Sequence, residues 1–337
     1  MMMKSFKRKI PEVWRNRLVF ALKALIAMGL VAFLFTSGRI DFAVLLNSYR
    51  YPVYLLSGIL CCTLAVITPI YRWWILSQIQ KLPLKAFDAL RLTMTGYFFN
   101  LFIPGGSGGD VVRAAYAVRD CPERRAQALT IAFVDRGLGL HALLLLGVSI
   151  IFIQPTVLHN HPALKLWLLL IGGVLIVGTI TVLLLVWERT NSLLIRICGR
   201  IIGGAEAWHE AMELYRKQPG MLCVAYILSA GSAIFNILLI HYMMLAVGST
   251  PSVLESLAIA PLIIIANTLP LTPGGVGVAE GASAGLYSLV GQAGGANGML
   301  LARFFIVIYA LLGFPFFIVN KRLQRNYHSE NGSIEVR

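Results

Sequence analysis

Long apolar segments separated by short, mostly basic segments run through almost the whole chain. A helix needs about 20 apolar residues to cross a bilayer, and six segments meet this length. They lie at residues 18–37, 53–76, 126–153, 164–187, 221–247 and 299–319. The pattern predicts an all-α integral membrane protein with about six full spans.

Two further apolar segments are interrupted by proline and glycine. Both contain the motif Pro-Gly-Gly-x-Gly, which begins at Pro104 in the first segment and at Pro273 in the second. The two copies are 169 positions apart, which is about half of the 337-residue chain. Because proline ends a helix and glycine permits tight turns, each segment is predicted to form a pair of helices around a break.

The basic residues indicate on which side of the membrane each loop lies. Lysine and arginine precede and follow the first broken segment, whereas residues 248–252 and 291–298 around the second contain neither. Each broken segment is therefore predicted to be re-entrant, the first from the cytoplasm and the second from outside. This gives two inverted-topology repeats, residues 18–153 and 154–320, as in many secondary transporters. If each broken segment crosses fully instead, the inversion is lost; that alternative stays open.

The ends of the chain and one internal connector are predicted to be cytoplasmic. Residues 1–17 are strongly basic, residues 188–218 read as an amphipathic connector along the inner leaflet, and residues 321–337 form a tail. The first apolar segment is too long for a typical cleaved signal peptide. We therefore expect a multi-pass protein of a bacterial cytoplasmic membrane with both termini inside.

Composition supports the membrane class and excludes others. Apolar residues make up 58% of the chain and charged residues 13%, whereas soluble domains carry about 25% charged residues. The basic residues that give the net charge of +14 lie between the apolar segments. We expect them to orient the chain and to contact anionic lipids rather than nucleic acid. The five cysteines show no metal-binding or disulfide spacing, and no cofactor is predicted.

Near the inner end of the second span, Arg72, Trp73 and Trp74 read as an interfacial anchor. Arg91, which follows this span, is expected to face the cytoplasm.

The two breaks are candidates for a binding site. A helix that starts after the glycines points free N–H groups and a positive dipole end towards the break, which suits an anionic headgroup. The alternative is that the glycines only allow close helix packing. Asn100 and Asn267 precede the breaks, and either satisfy freed backbone groups or contact a ligand.

The charged residues within apolar segments need partners. Asp110 either caps the following helix or pairs with Arg113 three positions later. Asp135 and Arg136 lie deep in the third span, where ionised groups are costly. Because adjacent helix positions do not face each other, each is expected to have its own partner elsewhere.

Glu280, in the second broken segment, has no basic neighbour in the sequence, so we expect it to pair with Arg136, Arg113 or Arg303. The predicted substrate-binding residues combine both motifs with these charged and amide side chains. They are Asn100, Pro104, Gly105, Gly106, Gly108, Asp110, Arg113, Asp135, Arg136, Asn267, Pro273, Gly274, Gly275, Gly277 and Glu280.

At these residues the chain resembles the flippase-like transmembrane region of lysylphosphatidylglycerol synthases and their stand-alone relatives. The matching residues are Asn100, Pro104, Gly105, Gly108, Asp110, Arg113, Asp135, Arg136, Pro270, Pro273, Gly274, Gly275, Gly277 and Glu280. The resemblance implies a protein that moves or handles a lipid, such as an aminoacylated phospholipid or a polyprenyl-phosphate-linked sugar.

The sequence departs from this family at three positions. The family often has glutamate where Asp110 and Asp135 stand, and often a basic residue where Ala279 precedes Glu280. The aminoacyl-transferase domain of the full synthases is not present in this sequence, so lysyl transfer is not implied.

The leading hypothesis is a flippase or translocator for an anionic or lipid-linked substrate, with membrane lipids as partners. No nucleophile–base arrangement is evident, so an enzyme is not predicted. Two alternatives stay open: a non-catalytic membrane partner of a lipid glycosyltransferase or aminoacyl transferase, and an intramembrane transferase acting on lipid phosphates.

Overall fold

The computed structural model describes Thr36 and residues 41–103, 108–153, 162–186 and 205–320. These residues are mostly helical, and no β-strand occurs among them. The all-α class predicted from the sequence is therefore confirmed for the described part of the chain.

The described helices are numbered α1 to α11 in chain order. Those before residue 154 are α1 (Phe42–Asn47), α2 (Pro52–Ile79), α3 (Ala86–Asn100), α4 (Gly108–Asp120) and α5 (Arg125–Ile153). Those after it are α6 (Pro162–Val186), α7 (Ala205–Lys217), α8 (Pro219–Ala246), α9 (Val253–Thr268), α10 (Val278–Leu289) and α11 (Gly295–Leu311). Short 3-10 turns at Ser48–Arg50 and Pro122–Arg124 precede α2 and α5, and helical structure resumes at residues 314–320.

Four apolar stretches of helix are long enough to cross a membrane. They are Pro52–Ile79, Pro122–Ile150, Pro219–Ala246 and Gly295–Asn320. They correspond to the second, third, fifth and sixth predicted spans. The fourth predicted span forms α6, which contains the shorter apolar helical stretch Leu169–Ile180.

Some predicted features lie outside the described residues. They are the N-terminal segment with most of the first span, the motif residues Pro104, Gly105 and Gly106, residues 154–161 and 187–204, and the tail from residue 321. Of the predicted connector, the described part forms α7, which packs against α5.

The two halves of the described chain repeat one order of helices. In the first half α2 is followed by the pair α3–α4 and then by α5. In the second half α8 is followed by the pair α9–α10 and then by α11. A Pro-Gly-Gly-x-Gly motif stands at the interruption of each pair, so the order is the one that a duplicated unit predicts.

The two equivalent long helices, α2 and α8, pack extensively against each other. Met243 of α8 is completely buried and belongs to one apolar cluster with Cys61 and Cys62 of α2. Gly58 of α2 leaves room for the Met243 side chain, because a Cβ at this position would overlap it. α5 contacts α4, α8 and α9, so polar residues on α5 are carried into the interior of the bundle.

Capping hydrogen bonds fix the beginning of each broken pair. At α9, Ser252 Oγ accepts a hydrogen bond from the Glu255 N–H at 3.1 Å, and Glu255 Oε2 accepts one from the Ser252 N–H at 2.7 Å. At α3, Asp88 Oδ2 accepts a hydrogen bond from the Lys85 N–H at 2.9 Å. The bonds at α9 are reciprocal, and at both helices the side-chain acceptors satisfy backbone donors that have no partner within the helix.

Arg91 does not face the cytoplasm as predicted, but is buried at the base of the first broken pair. Its Nη2 atom lies 2.7 Å from Asp120 at the end of α4 and 3.1 Å from Asp88. Its Nη1 atom donates to Asn320, beyond α11. Arg91 therefore joins both ends of the pair to the last described helical segment. Its position in the sequence, next to a basic loop, did not indicate this role.

The helices of the first pair approach each other most closely at two glycines. A Cβ on Gly109 of α4 would overlap the backbone carbonyl oxygen of Gly96 on α3, and a Cβ on Gly96 would lie 2.9 Å from the Gly109 oxygen. Both positions therefore require a residue without a side chain for α3 and α4 to keep this separation.

We predict that Gly109→Ala destabilises the protein by about 1–3 kcal/mol, because the added methyl group forces the two backbones apart. Gly285→Ala on α10 is the control, since a Cβ there meets nothing within 4 Å and alanine favours the helix. Thermal unfolding of the detergent-solubilised variants measures the difference. Equal melting temperatures for the two variants would contradict the close contact.

Candidate functional site

The first break is held by an amide side chain. α3 ends at Asn100, the chain turns, and α4 begins at Gly108. Asn100 Oδ1 accepts a hydrogen bond from the Gly109 N–H at 2.6 Å. The side chain thus satisfies a backbone donor in the first turn of α4, one of the two roles proposed from the sequence. Asp110 is the third residue of α4, so it is not the helix cap that the sequence suggested.

The second break depends on glycines in the left-handed region of backbone space. Gly274, Gly275 and Gly277 have φ angles of 59°, 70° and 83°, which residues with a Cβ rarely adopt. A Cβ on Gly275 would also overlap the side chain of Asn267. The Gly277 N–H donates to Glu280 Oε2 at 2.7 Å, so the carboxylate caps α10.

A single arginine of α11 holds this turn. Arg303 Nη1 donates to the Gly274 carbonyl at 2.7 Å, and Nη2 donates to the Gly275 carbonyl at 3.1 Å. Nη2 also donates to Asn267 Oδ1 at 3.1 Å. The guanidinium forms an ion pair with Glu280, which is completely buried. Of the three partners proposed for Glu280 from the sequence, the structure therefore selects Arg303.

A buried carboxylate organises the first half of the molecule. Asp135 of α5 has only 2% of its side chain exposed and lies 2.5 Å from Arg72 Nε and 2.6 Å from Arg113 Nη2. Arg113 also reaches Asp110 at 3.1 Å, and Arg136 reaches the other oxygen of Asp110 at 3.4 Å. As expected from the sequence, Asp135 and Arg136 have separate partners.

The interpretation of Arg72 and Trp73 as an interfacial anchor is wrong. Trp73 is completely buried and Arg72 nearly so, and Arg72 Nη1 donates to Ser229 Oγ of α8 at 3.0 Å. The guanidinium of Arg113 lies over the Trp73 ring, 4.2 Å from its centroid, where an arginine is attracted to the ring face. Arg72 turns inward because the buried Asp135 requires cationic partners.

The two halves use the same ion pair with the charges exchanged. In the first half the helix after the break carries the cation, Arg113, and the following long helix carries the anion, Asp135. In the second half the helix after the break carries Glu280, and the following long helix carries Arg303. Each pair ties the helix that starts at a break to the next helix along the chain.

The two breaks touch each other. The Gly274 N–H donates to the Ile103 carbonyl at 3.5 Å. A Cβ on Gly274 would lie 3.5 Å from the carbonyl oxygens of Asn100 and Leu101. The second motif is therefore in contact with the residues that directly precede the first motif.

Two cavities adjoin at these breaks. The first has a volume of about 260 Å³ and is lined by the charged residues of the first half, Arg72, Asp110, Arg113, Asp135 and Arg136. The second has a volume of about 250 Å³ and a mostly apolar lining, with Arg303 on its wall. Five uncharged polar residues line both cavities, and we call them the polar collar. They are Tyr97, Asn100, Ser232, Asn236 and Asn267.

The predicted site residues divide into two groups. Those that line a cavity are Asn100, Asp110, Arg113, Asp135, Arg136, Asn267 and Gly274. Those that shape the breaks without lining either cavity are Gly108, Pro273, Gly275, Gly277 and Glu280. The residues of the second group shape the backbone at the breaks, next to the residues of the first group that line the cavities.

Sequence reasoning missed three members of the polar collar. Ser232 and Asn236 are polar residues four positions apart in the largely apolar α8, a spacing that puts them on one helix face. This pattern was a usable signal. Tyr97 follows no such pattern, because tyrosine in an apolar segment usually marks packing or a membrane interface.

We predict that Asp135→Asn costs about 3–5 kcal/mol of stability, because it leaves two buried arginines without their shared anion. Asp110→Asn is the matched control. Asp110 also contacts two arginines but has 33% of its side chain exposed, so its loss should cost about 0–1 kcal/mol. Denaturant unfolding in detergent compares the two variants. Equal losses would contradict the central role of Asp135.

Comparison with known proteins agrees with this architecture. The family model described as "Lysylphosphatidylglycerol synthase TM region" matches residues 20–313. No curated protein matches the chain. With its long apolar helices, the chain is a multi-pass membrane protein with a lipid-related role. It belongs to the family of lysylphosphatidylglycerol synthase transmembrane regions.

Proposed function

We propose that this protein moves an anionic or lipid-linked substrate from one leaflet of a membrane to the other. The observation that carries the proposal is the pair of adjoining cavities at the touching breaks, one charged and one mostly apolar. A lipid has the same division, with a charged headgroup next to an apolar chain. The polar collar between the cavities gives the headgroup hydrogen-bonding partners along the path.

The energetic problem of lipid translocation is the headgroup. A charge that leaves water for the apolar centre of a bilayer loses several kcal/mol of solvation. Arg136 and the other charged residues of the first cavity replace part of that solvation. Broken helices in contact inside the bundle are the arrangement that many secondary transporters use for their substrate site.

The orientation proposed for the membrane follows the charge distribution. Basic residues flank the first broken pair, and the loops next to the second contain none. By the positive-inside rule the first pair enters from the cytoplasm and the second from outside, as inverted repeats. We place the protein in a bacterial cytoplasmic membrane with both termini in the cytoplasm.

The substrate classes that fit are an aminoacylated phospholipid and a polyprenyl-phosphate-linked sugar. A lipid glycosyltransferase or aminoacyl transferase would supply such a substrate and is the proposed partner. We assign no bond-making step to this chain. The carboxylates Asp110, Asp135 and Glu280 are all engaged in ion pairs with arginines.

Reconstitution into vesicles tests the proposal. Fluorescent phospholipids and a polyprenyl-phosphate hexose are supplied in one leaflet, and a membrane-impermeant quencher reports their arrival in the other. We predict faster equilibration of at least one of these lipids than in protein-free vesicles. Unchanged distribution of all of them would contradict the proposed function.

Ser232→Trp should lower that rate roughly tenfold or more, because the indole fills the polar collar between the cavities. Ser288→Trp, at an exposed position of α10, is the control and should leave the rate unchanged. Asn236→Trp provides a second block if Ser232→Trp does not fold, as judged by size-exclusion chromatography. Unchanged transport in a folded, blocked variant would show that the substrate does not pass the collar.

A further inference from the structure

The charged residues that line the first cavity limit the kind of lipid headgroup that the cavity can accept. Three arginines, Arg72, Arg113 and Arg136, face two aspartates, Asp110 and Asp135. The charged groups of the described lining therefore carry a net charge of +1. The motif residues between α3 and α4, at positions 104–107, are Pro-Gly-Gly-Ser and add no charge to this balance.

Both carboxylates of the lining are already paired with arginines. Asp135 is buried and engages both Arg72 and Arg113 at 2.5 and 2.6 Å. Asp110 engages Arg113 through one oxygen and Arg136 through the other. A ligand ammonium group would therefore compete with arginines for these carboxylates and would meet the remaining positive charge.

The arginines, in contrast, keep donors for an anion. Arg136 has 45% of its side chain exposed and makes one contact in the described structure, the 3.4 Å approach to Asp110. Arg113 is buried, and its Nε atom, which has no hydrogen-bond partner among the described residues, is closed to solvent, so the donors that we assign to an anion are those of Arg136. A guanidinium with unused donors is well suited to the oxygens of a phosphate group.

The polar collar supplies neutral hydrogen-bonding groups beside these charges. The hydrogen bonds that Asn100 and Asn267 make in the described structure use their Oδ1 atoms, and that of Asn236 uses its Nδ2 atom. Amide and hydroxyl groups both donate to and accept from alcohols. The collar thus offers both donors and acceptors to the hydroxyl groups of a headgroup.

We infer that the ligand is a lipid phosphodiester with a single negative charge and an uncharged, hydroxyl-bearing headgroup, and that an aminoacylated headgroup is disfavoured. The inference rests on the proposed function and narrows its substrate. Two sources share this chemistry: a glycerophospholipid such as phosphatidylglycerol, and a polyprenyl-phosphate hexose. Specificity here comes from a net positive charge as much as from attractive contacts.

Lipid binding to the purified full chain tests the inference. Phosphatidylglycerol, a polyprenyl-phosphate hexose, lysyl-phosphatidylglycerol and phosphatidylcholine are titrated separately in detergent, with native mass spectrometry as the readout. We expect at least one of the first two to bind about tenfold or more tightly than lysyl-phosphatidylglycerol, and the stronger of the two identifies the source.

Three results would overturn the inference, and they separate it from the proposed function. If lysyl-phosphatidylglycerol binds as tightly as the uncharged-headgroup lipids, or more tightly, and is transported in vesicles, the inference fails and the transport function stands. If lysyl-phosphatidylglycerol binds as tightly as the uncharged-headgroup lipids but is not transported, the inference also fails. If no lipid binds better than phosphatidylcholine and none is transported, both fail.

Two substitutions test the charge argument directly. Arg136→Gln should weaken binding of the anionic lipid about tenfold, whereas Arg125→Gln, an exposed charge loss at the start of the same helix, should not. Asn236→Asp adds a carboxylate to the collar at nearly constant size and should shift the preference about tenfold towards lysyl-phosphatidylglycerol. An unchanged preference in a variant that retains its melting temperature would overturn the inference.

Discussion

Backbone groups freed by a helix break inside an apolar bundle must find partners within the protein. This requirement explains the arrangement around both breaks. Asn100 accepts the Gly109 N–H at the first break, and Arg303 donates to the Gly274 and Gly275 carbonyls at the second. The breaks also bond to each other through the Gly274 N–H. Side chains thus complete the backbone, and Asn100 and Asn267, which take part in these bonds, also line both cavities.

Electrostatics then distinguishes the two cavities. The second half contributes the Glu280–Arg303 pair, which is neutral and serves the turn. The first half contributes the same kind of pair, Arg113–Asp135, but adds Arg72 from α2. The same order of helices in both halves, with unequal charges, therefore produces one cationic cavity and one mostly apolar cavity. Such a division is what a molecule with a charged head and an apolar chain needs.

Much of this architecture could be predicted from the sequence because its signals are local. A proline and several glycines change the backbone wherever they occur, so both breaks and their spacing were evident. The separate partners of Asp135 and Arg136 followed from helix geometry, whereas Asn100 fills one of two roles that the sequence left open. The prediction failed where the outcome depends on distant residues. Arg72 stands beside Trp73 near a helix end, and its partner Asp135 is 63 positions away.

Arg91 shows the same limit. Its place after a span indicated a solvated loop, but Asp120 and Asn320 enclose it in the fold. Glu280 had three possible cations, and only the packing of α10 against α11 selects Arg303. The net charge of a cavity belongs to residues from several helices, so no stretch of sequence reveals it.

The central claim is that two broken helix pairs enter the membrane from opposite sides and meet. Cysteine labelling with a membrane-impermeant reagent tests it most directly, in a background without the native cysteines. Glu123→Cys marks the base of the first pair and Ala293→Cys marks the base of the second, and both positions are exposed. The account predicts labelling of Glu123→Cys only from the cytoplasmic side and of Ala293→Cys only from outside. Labelling of both from the same side would contradict it.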